Sequence, residues 1–318
     1  MAGGVIKPKK LFKGATIGVM APSSRMDIER IERSVAKLQD YGFNVFLHPQ
    51  CQAFDKGSAG TTGEKIKAFH DLFLDPAIDA VMAGRGGSRA IHMLDGLDYE
   101  LICRHPKLFI GFSDITALHS AIYVQTGLST VHGADLGRFD PERDLASAEA
   151  TVPYLLGDWQ GTKWPSNYPM QIHKEGIAEG ILFGGNLALL MATRSAGPKY
   201  FPDLEGKILI IEDVGEEKTS IDRMMGSLRL AGVFDRVAAL VVGQMTNLKD
   251  TGTVSFERTI EEIMREHTAG MKGPVVLNAP IGHEHPNIPF PLGIKARLTA
   301  PSGGPAQLQL LESPFADA

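Results

Sequence analysis

Leu108-Phe109-Ile110-Gly111-Phe112-Ser113-Asp114 is a short apolar run that ends at glycine and continues through serine. A helix-like pattern follows over residues 115–124. A strand that stops at glycine and enters a helix through serine can present that serine on a sharp turn, as nucleophiles are presented. Serine before a helix is also a common N-cap, so this stretch alone leaves both interpretations of Ser113 open.

The first half of the chain repeats this alternation of buried strand and amphipathic helix. Strands are predicted over residues 15–21, 44–47, 78–83 and 108–110. Such alternation predicts an α/β fold in which helices cover both faces of a parallel sheet. Because ligands bind at the carboxyl ends of parallel strands, the loops that follow these strands are the candidate site.

Three of those loops have unusual sequences: Pro22-Ser23-Ser24, Gly84-Arg85-Gly86-Gly87 and Gly111-Phe112-Ser113-Asp114. The second loop is not a dinucleotide-binding fingerprint, because residue 89 is arginine where the third glycine is required. Its glycines would let a substrate approach bare N–H groups, or they would serve only a tight turn. Both interpretations stay open on this motif alone.

Composition excludes several classes of protein. The chain has 318 residues, a formal net charge of −5 and two distant cysteines, Cys51 and Cys103. No basic block follows the short run at 7–10, so nucleic acid and anionic membrane are poor candidate partners. The apolar run at 14–21 leads into Pro22-Ser23-Ser24 and predicts a first strand rather than a signal peptide. We therefore expect a cytoplasmic protein with free thiols.

The second half predicts a further domain. The periodic pattern stops between residues 157 and 175, which places a linker at 161–175 between domains 1–160 and 176–318. Beyond it, Leu209-Ile210-Ile211-Glu212-Asp213 is a buried strand with two carboxylates at its exit. A carboxylate in that position could orient a histidine, or could simply cap a helix.

Gly282-His283-Glu284-His285 supplies candidate bases in a predicted loop. Alternate residues of an extended loop point to opposite sides, so the two histidines are a poor metal pair. Spacing alone does not choose between His283 and His285 as a general base. The order Ser, Glu, His is that of α/β-hydrolases, but Ile115 stands where their G-x-S-x-G elbow needs glycine.

The sequence resembles the LD-carboxypeptidases, a family of serine peptidases that includes muramoyltetrapeptide carboxypeptidases and microcin C immunity proteins. The matching segments occur in family order along nearly the whole chain. They are Ala21-Pro22-Ser23, Arg85-Gly86-Gly87, Gly111-Phe112-Ser113-Asp114, Gly184-Gly185-Asn186-Leu187, Leu209-Ile210-Ile211-Glu212-Asp213, Ile221-Asp222-Arg223, Gly282-His283 and Pro291-Leu292-Gly293.

The resemblance implies a fold, a substrate and partners. The fold is an N-terminal flavodoxin-like or Rossmann-like α/β domain with a C-terminal β-rich α+β domain, and the site lies between them. The substrate is a small peptide, such as a cytoplasmic murein tetrapeptide during wall recycling, from which the enzyme removes a terminal D-alanine. Known members are commonly homodimers without a metal or organic cofactor.

The resemblance also implies roles for individual residues. Ser113 is the nucleophile, Glu212 the orienting carboxylate and His283 the general base. Backbone N–H groups of Asp114 and of Gly86 or Gly87 would form the oxyanion hole. A cation should recognise the carboxylate of the D-amino acid, and the nearby candidates are Arg85 and Arg89.

The sequence departs from the family pattern at two positions near the expected pocket, where substrate preference is determined. Ser88 stands where an aromatic residue is frequent, and Phe112 stands where histidine is frequent. An immunity-type amidase that cleaves peptidyl- or aminoacyl-nucleotides is therefore an alternative, with Trp159 or Trp164 stacking on the base. A non-catalytic protein that binds a peptide or sugar is a second alternative, and it predicts that the three triad residues do not converge.

Overall fold

The computed structural model describes residues 4–143, 145–161, 163–252 and 255–317, and the strands within them form two sheets. The first sheet contains β1 (Thr16–Met20), β2 (Asn44–Leu47), β3 (Ala80–Ala83), β4 (Leu108–Gly111), β5 (Val131–His132) and β11 (Phe290–Pro291). Its strand order is β11-β5-β4-β3-β1-β2. Strands β1 to β5 pair in parallel, which confirms the predicted parallel sheet.

Helices cover this sheet on both faces. They are α1 (Ile28–Asp40), α2 (Thr62–Leu74), α3 (Tyr99–Arg104), α4 (Thr116–Thr126) and α5 (Ala146–Leu155). The Asp27 side chain accepts from the N–H of Glu29 and caps the start of α1. Thr61 and Glu64 form a capping box that starts α2.

The second sheet is mixed and has the order β13-β12-β7-β8-β9-β10-β6. Its strands are β6 (Gln171–Lys174), β7 (Gly176–Asn186), β8 (Ile208–Val214), β9 (Ala239–Thr246), β10 (Val275–Leu277), β12 (Lys295–Ala300) and β13 (Gln307–Leu310). The central strands β7 to β10 are parallel, and the outer strands are antiparallel. Its helices are α6 (Leu187–Ser195), α7 (Lys218–Leu230), α8 (Val233–Arg236) and α9 (Ile260–Thr268).

The structure differs from the sequence prediction inside the predicted linker. Residues 171–174 belong to strand β6, which pairs antiparallel with β10. This strand lies at the edge of its sheet, and its side chains are half-buried or exposed. An edge strand of this kind lacks the apolar alternation on which strand prediction depends.

Between β10 and β12 the chain returns to the first sheet for one short strand, β11. Phe290 and Pro291 of β11 pair with His132 and Val131 of β5. The chain thus crosses between the two sheets a second time, seven residues after His283. Within the described ranges, no helix combines the length and apolar character needed to cross a membrane.

Candidate active site

Ser113 lies in a strained turn between β4 and α4. Its φ is +64°, in the left-handed region, where a non-glycine residue costs about 1–3 kcal/mol and often marks a functional site. Residues Ser113–Ile115 form one 3₁₀ turn that leads directly into α4. The backbone therefore makes the sharp strand-to-helix turn that the sequence predicts after Gly111.

Contacts on both sides hold this turn. His119 of α4 donates from Nε2 to the carbonyl of Gly111 at 2.9 Å, while its Nδ1 accepts from Thr130 Oγ1 at 2.9 Å. Burial lowers the pKa of His119 to about 4, so the ring is neutral near pH 7 and keeps both bonds. On the other side, a Cβ on Gly86 would lie 2.7 Å from Ser113 Cβ, a distance that only glycine avoids.

Ser113, His283 and Glu212 form one hydrogen-bonded chain between the two sheets. Ser113 Oγ donates to His283 Nε2 at 3.0 Å, and His283 Nδ1 donates to Glu212 Oε2 at 2.7 Å. An ionised carboxylate only accepts, so the ring proton lies on Nδ1 and Nε2 is left as an acceptor. A hydroxyl, an imidazole and a carboxylate in this order can generate a serine nucleophile.

Glu212 is fully buried near the end of β8. Two glycines give it room, since a Cβ on Gly282 would lie 3.1 Å from Glu212 Oε2 and one on Gly243 would lie 3.2 Å from Glu212 Cβ. The other carboxylate oxygen, Oε1, has no hydrogen-bond partner among the described residues. The bond to His283 is therefore the contact that stabilises this buried carboxylate.

Asp213, the other strand-end carboxylate, takes a structural position. Its Oδ1 accepts from Asn186 Nδ2 at 2.8 Å, and its Oδ2 accepts from the N–H of Ala188 at 3.0 Å. Burial, with a smaller repulsion from Glu212, raises the pKa of Asp213 to about 6. Asp213 thus binds the start of α6, and Glu212 alone faces the imidazole.

The structure separates the two candidate bases. Arg138 Nη1 donates to His285 Nε2 at 2.8 Å, and the Nδ1 of that ring lies 3.2 Å from Ser147 Oγ. His285 therefore binds the helical segment after β5, and only His283 reaches Ser113. Across the described part of the chain, no group of three or more His, Cys, Asp or Glu side chains could hold a metal ion.

One of the three expected oxyanion donors is already engaged. The N–H of Gly86 donates to Asp135 Oδ2 at 3.2 Å in a buried bond, so the expectation for Gly86 is not met. Gly86 instead contributes the space beside Ser113. The N–H groups of Gly87 and Asp114 form no hydrogen bond with the rest of the described chain, and both remain available to an oxyanion.

The Asp114 side chain joins the loops that follow three strands of the first sheet. It accepts from Ser23 Oγ at 2.6 Å and from the N–H of Ala90 at 2.8 Å. Lys65 Nζ of α2 donates to the carbonyl of Ser23 at 3.0 Å. Burial lowers the pKa of this lysine. The three loops that the sequence singles out therefore meet at one place, as the rule for parallel strands predicts.

Arg85 and Arg89 flank the glycine pair of the second loop. Arg85 Nη1 donates to the carbonyl of Arg25 at 3.4 Å, and Arg89 Nη1 lies 3.8 Å from Asp55 Oδ2. Both side chains remain partly exposed to solvent. Each guanidinium therefore keeps donors for an incoming anion.

Two residues that hold His283 were not predicted from the sequence. Arg138 Nη2 donates to the carbonyl of His283 at 2.6 Å. Gln244 Oε1 accepts from the N–H of Glu284 at 2.7 Å, and its Nε2 donates to the carbonyl of Pro286 at 3.3 Å. Neither residue belongs to a motif, and their roles depend on contacts 40 to 145 residues away in sequence.

The two tryptophans do not line the Ser113–His283 pair. Trp164 is buried in the core of the second sheet, and Trp159 packs against the core of the first. Both face a common apolar recess between them. The other lining residues of this recess are Tyr154, Ile288, Pro289, Phe290, Pro291, Leu308 and Leu310. The stacking role expected for Trp159 or Trp164 is therefore not supported.

Comparison with known proteins covers both halves of the chain. The model of the LD-carboxypeptidase N-terminal domain matches residues 17–133, and that of the C-terminal domain matches residues 179–298. A Bacillus subtilis relative named "Probable murein peptide carboxypeptidase" is 35% identical over 92% of this chain and 91% of its own length. The Escherichia coli microcin C7 self-immunity protein MccF is 31% identical over 90% of each chain.

The solved structures agree with these matches. Wild-type MccF in its apo state has a TM-score of 0.86 at 26% identity, and the alignment covers 98% of this chain and 100% of the other. The match supports the two-sheet α/β fold, and the convergence of Ser113, His283 and Glu212 is contrary to the prediction made by the alternative of a non-catalytic binding protein. The chain belongs to the LD-carboxypeptidase family of serine peptidases.

Proposed function

We propose that this protein hydrolyses the L,D peptide bond of murein tetrapeptides and releases the terminal D-alanine through an acyl-enzyme on Ser113. The observation that carries the proposal is the unbroken chain from Ser113 Oγ through His283 to Glu212, with bonds of 3.0 and 2.7 Å. The relative named as a murein peptide carboxypeptidase supports the choice of substrate.

In the first step, Ser113 Oγ attacks the carbonyl carbon of the scissile bond. His283 Nε2 takes the hydroxyl proton as the new C–O bond forms, and Glu212 stabilises the resulting imidazolium through Nδ1. The N–H groups of Gly87 and Asp114 stabilise the oxyanion, and loss of one such donor typically costs about a hundred- to a thousandfold in rate.

Collapse of the tetrahedral intermediate breaks the C–N bond. His283 returns its proton to the leaving amine of the D-amino acid, and the acyl group stays on Ser113. Water then attacks the ester carbonyl with His283 again as base, which releases the shortened peptide and restores the hydroxyl. Arg85 and Arg89 bind the carboxylate of the departing residue in this proposal, because their charges flank Gly86 and Gly87.

The test compares wild-type protein with Ser113→Ala on a murein tetrapeptide, with D-alanine release as the readout. We expect release to fall by at least about a thousandfold, as loss of a serine nucleophile does in comparable enzymes. Ser302→Ala, in an exposed loop, is the matched control and should act like wild type. Undiminished release by Ser113→Ala would refute the assignment of the nucleophile.

A second candidate is an amidase that acts on peptidyl- or aminoacyl-nucleotides. It is favoured by the 0.86 TM-score to MccF and is opposed by the position of both indoles away from Ser113. Mass spectrometry of a mixture of muropeptides and peptidyl-nucleotides separates the two, since each class leaves a distinct product. Cleavage of the nucleotides alone would reverse our ranking.

We further propose that the enzyme is a cytoplasmic homodimer. In this proposal the linker between its two domains ends by residue 170. This linker is shorter than the predicted 161–175 because residues 171–174 form β6 of the second sheet. Light scattering after size-exclusion chromatography tests the dimer. Cell fractionation tests the location.

A further inference from the structure

The backbone of the candidate base is held by an arginine from the first half of the chain. Arg138 Nη2 donates to the carbonyl of His283 at 2.6 Å. Arg138 lies in the 3₁₀ turn Leu136–Phe139, shortly after β5 of the first sheet. The residue is 8% exposed, so this charged hydrogen bond is shielded from bulk water and is correspondingly strong.

The same guanidinium contacts the nucleophile segment. Its central carbon lies 5.0 Å from the centroid of the Phe112 ring, a cation–π distance, and Phe112 directly precedes Ser113. The Phe112 ring also packs against the His283 ring, with centroids 5.0 Å apart. One side chain therefore contacts both the residue beside the nucleophile and the backbone of the base.

Gln244 holds the His283 loop only from the second sheet. Its side chain binds the backbone of Glu284 and Pro286, and its own N–H donates to the carbonyl of Ile281 at 2.8 Å. None of these contacts reaches the segment that carries Ser113. Gln244 can therefore fix the shape of the loop, but it cannot fix the distance between the loop and Ser113.

We infer that Arg138 is a positioning residue that sets the distance between Ser113 Oγ and His283 Nε2. It touches neither reacting atom and acts through Phe112 and the His283 carbonyl. Proton transfer requires heavy atoms within about 2.6–3.2 Å, and a misplacement of 1 Å can cost about a hundredfold in rate. The inference rests on the proposed function in one respect, that Ser113 and His283 are the reacting pair.

The experiment compares wild-type protein with Arg138→Ala, using a fluorophosphonate probe and the murein tetrapeptide. We expect the second-order rate of Ser113 labelling, and kcat on the tetrapeptide, to fall by about ten- to a hundredfold. KM should stay within about twofold, because Arg138 is buried and its described contacts are to Phe112, the His283 carbonyl and His285. Free guanidinium ion at non-denaturing concentration should restore part of the labelling rate by occupying the vacated place on Phe112.

Two further variants make the result specific. Arg33→Ala removes another arginine near the 3₁₀ turn that carries Arg138. Arg33 Nε donates to Asp140 Oδ1 at 2.8 Å, directly after that turn, and the variant should label at the wild-type rate. Arg138→Lys keeps the charge and one donor but loses the flat face on Phe112, so an intermediate rate is expected. This variant decides the matter if Arg138→Ala does not fold.

The inference is overturned if Arg138→Ala, or Arg138→Lys when only that variant folds, labels within about twofold of wild type. It is also overturned if the rate falls and neither guanidinium ion nor lysine restores any of it. Failure of the proposed function has a different signature. Wild-type protein would then label at a residue other than Ser113, or would label at Ser113 and leave the tetrapeptide intact.

Discussion

The segment that carries Ser113 and the segment that carries His283 are held in place by different physical means. Ser113 is fixed mainly by backbone conformation and packing, through its positive φ and the contact with Gly86, and its one side-chain support on the strand side comes from nearby His119. His283 is fixed by side-chain hydrogen bonds from distant residues. The position of Ser113 should therefore be sensitive to added volume, and the position of His283 to changes in hydrogen-bonding chemistry.

The sharpest test of the base side changes chemistry without changing size. Glu212→Gln puts an amide where the buried carboxylate accepts from His283 Nδ1, so the imidazolium loses its counter-charge and the tautomer is no longer fixed. We expect kcat to fall by about a thousand- to ten-thousandfold. Steady-state kinetics measures the change in kcat. A loss below about tenfold would show that His283 does not depend on its hydrogen bond to the Glu212 carboxylate.

The corresponding test of the nucleophile side changes size without changing chemistry. Gly86→Ala adds one methyl group 2.7 Å from Ser113 Cβ and 3.0 Å from Ser113 Oγ, so the turn has to shift. We expect a loss of about a hundredfold in kcat/KM. Gly63→Ala is the matched control, because a Cβ there meets nothing within 4 Å.

If Gly86→Ala retains wild-type activity, the turn is more compliant than its packing implies and the contrast between the two segments disappears. A crystal structure of the variant would separate a shifted Ser113 from a displaced Gly86 loop. The control variant shows how much of any loss is due to glycine replacement in general.

The smallest expected effect concerns stability and pH. The pKa of His119 is lowered from 6.5 to about 4 by burial, so below pH 6.5 the unfolded chain binds a proton that the folded chain does not. This residue makes stability fall as pH drops from 6.5 toward 4, by up to about 3 kcal/mol. His119→Gln should flatten that part of the profile in urea unfolding, relative to wild type.

The opposite sign applies to Asp213, whose pKa is raised to about 6. The folded protein binds its proton more tightly over the same range, so this group makes stability rise as pH drops. Comparison of His119→Gln with Asp213→Asn therefore separates two contributions that partly cancel in the wild-type profile. If the slope of stability against pH is the same in both variants as in wild type, neither His119 nor Asp213 contributes to the pH dependence as expected.

The same contrast explains what could be predicted from the sequence. The Ser113 segment is encoded locally, since an apolar strand, a glycine, a serine and a helix follow one another within 17 residues, 108–124. The parallel sheet follows from the same kind of local pattern. Such patterns can be recognised in a single sequence, because burial requires a regular spacing of apolar residues and helix starts favour capping residues.

The segment that carries His283 has no such local sequence pattern. Spacing could not choose between His283 and His285, because the choice depends on Glu212, Arg138 and Ser147, which lie far away in sequence. For the same reason the engagement of Gly86 by Asp135 was missed. The family resemblance supplied the choice of His283, and the structure gives its physical reason.

Strand β11 has a consequence for how the enzyme admits its substrate. This strand, from the second half of the chain, is the outermost strand of the first sheet next to β5. A clamshell opening of the two lobes would have to tear β11 from that sheet. The space between the two sheets around Ser113 and His283 therefore keeps its shape, and a peptide has to enter it without a hinge opening between the two sheets.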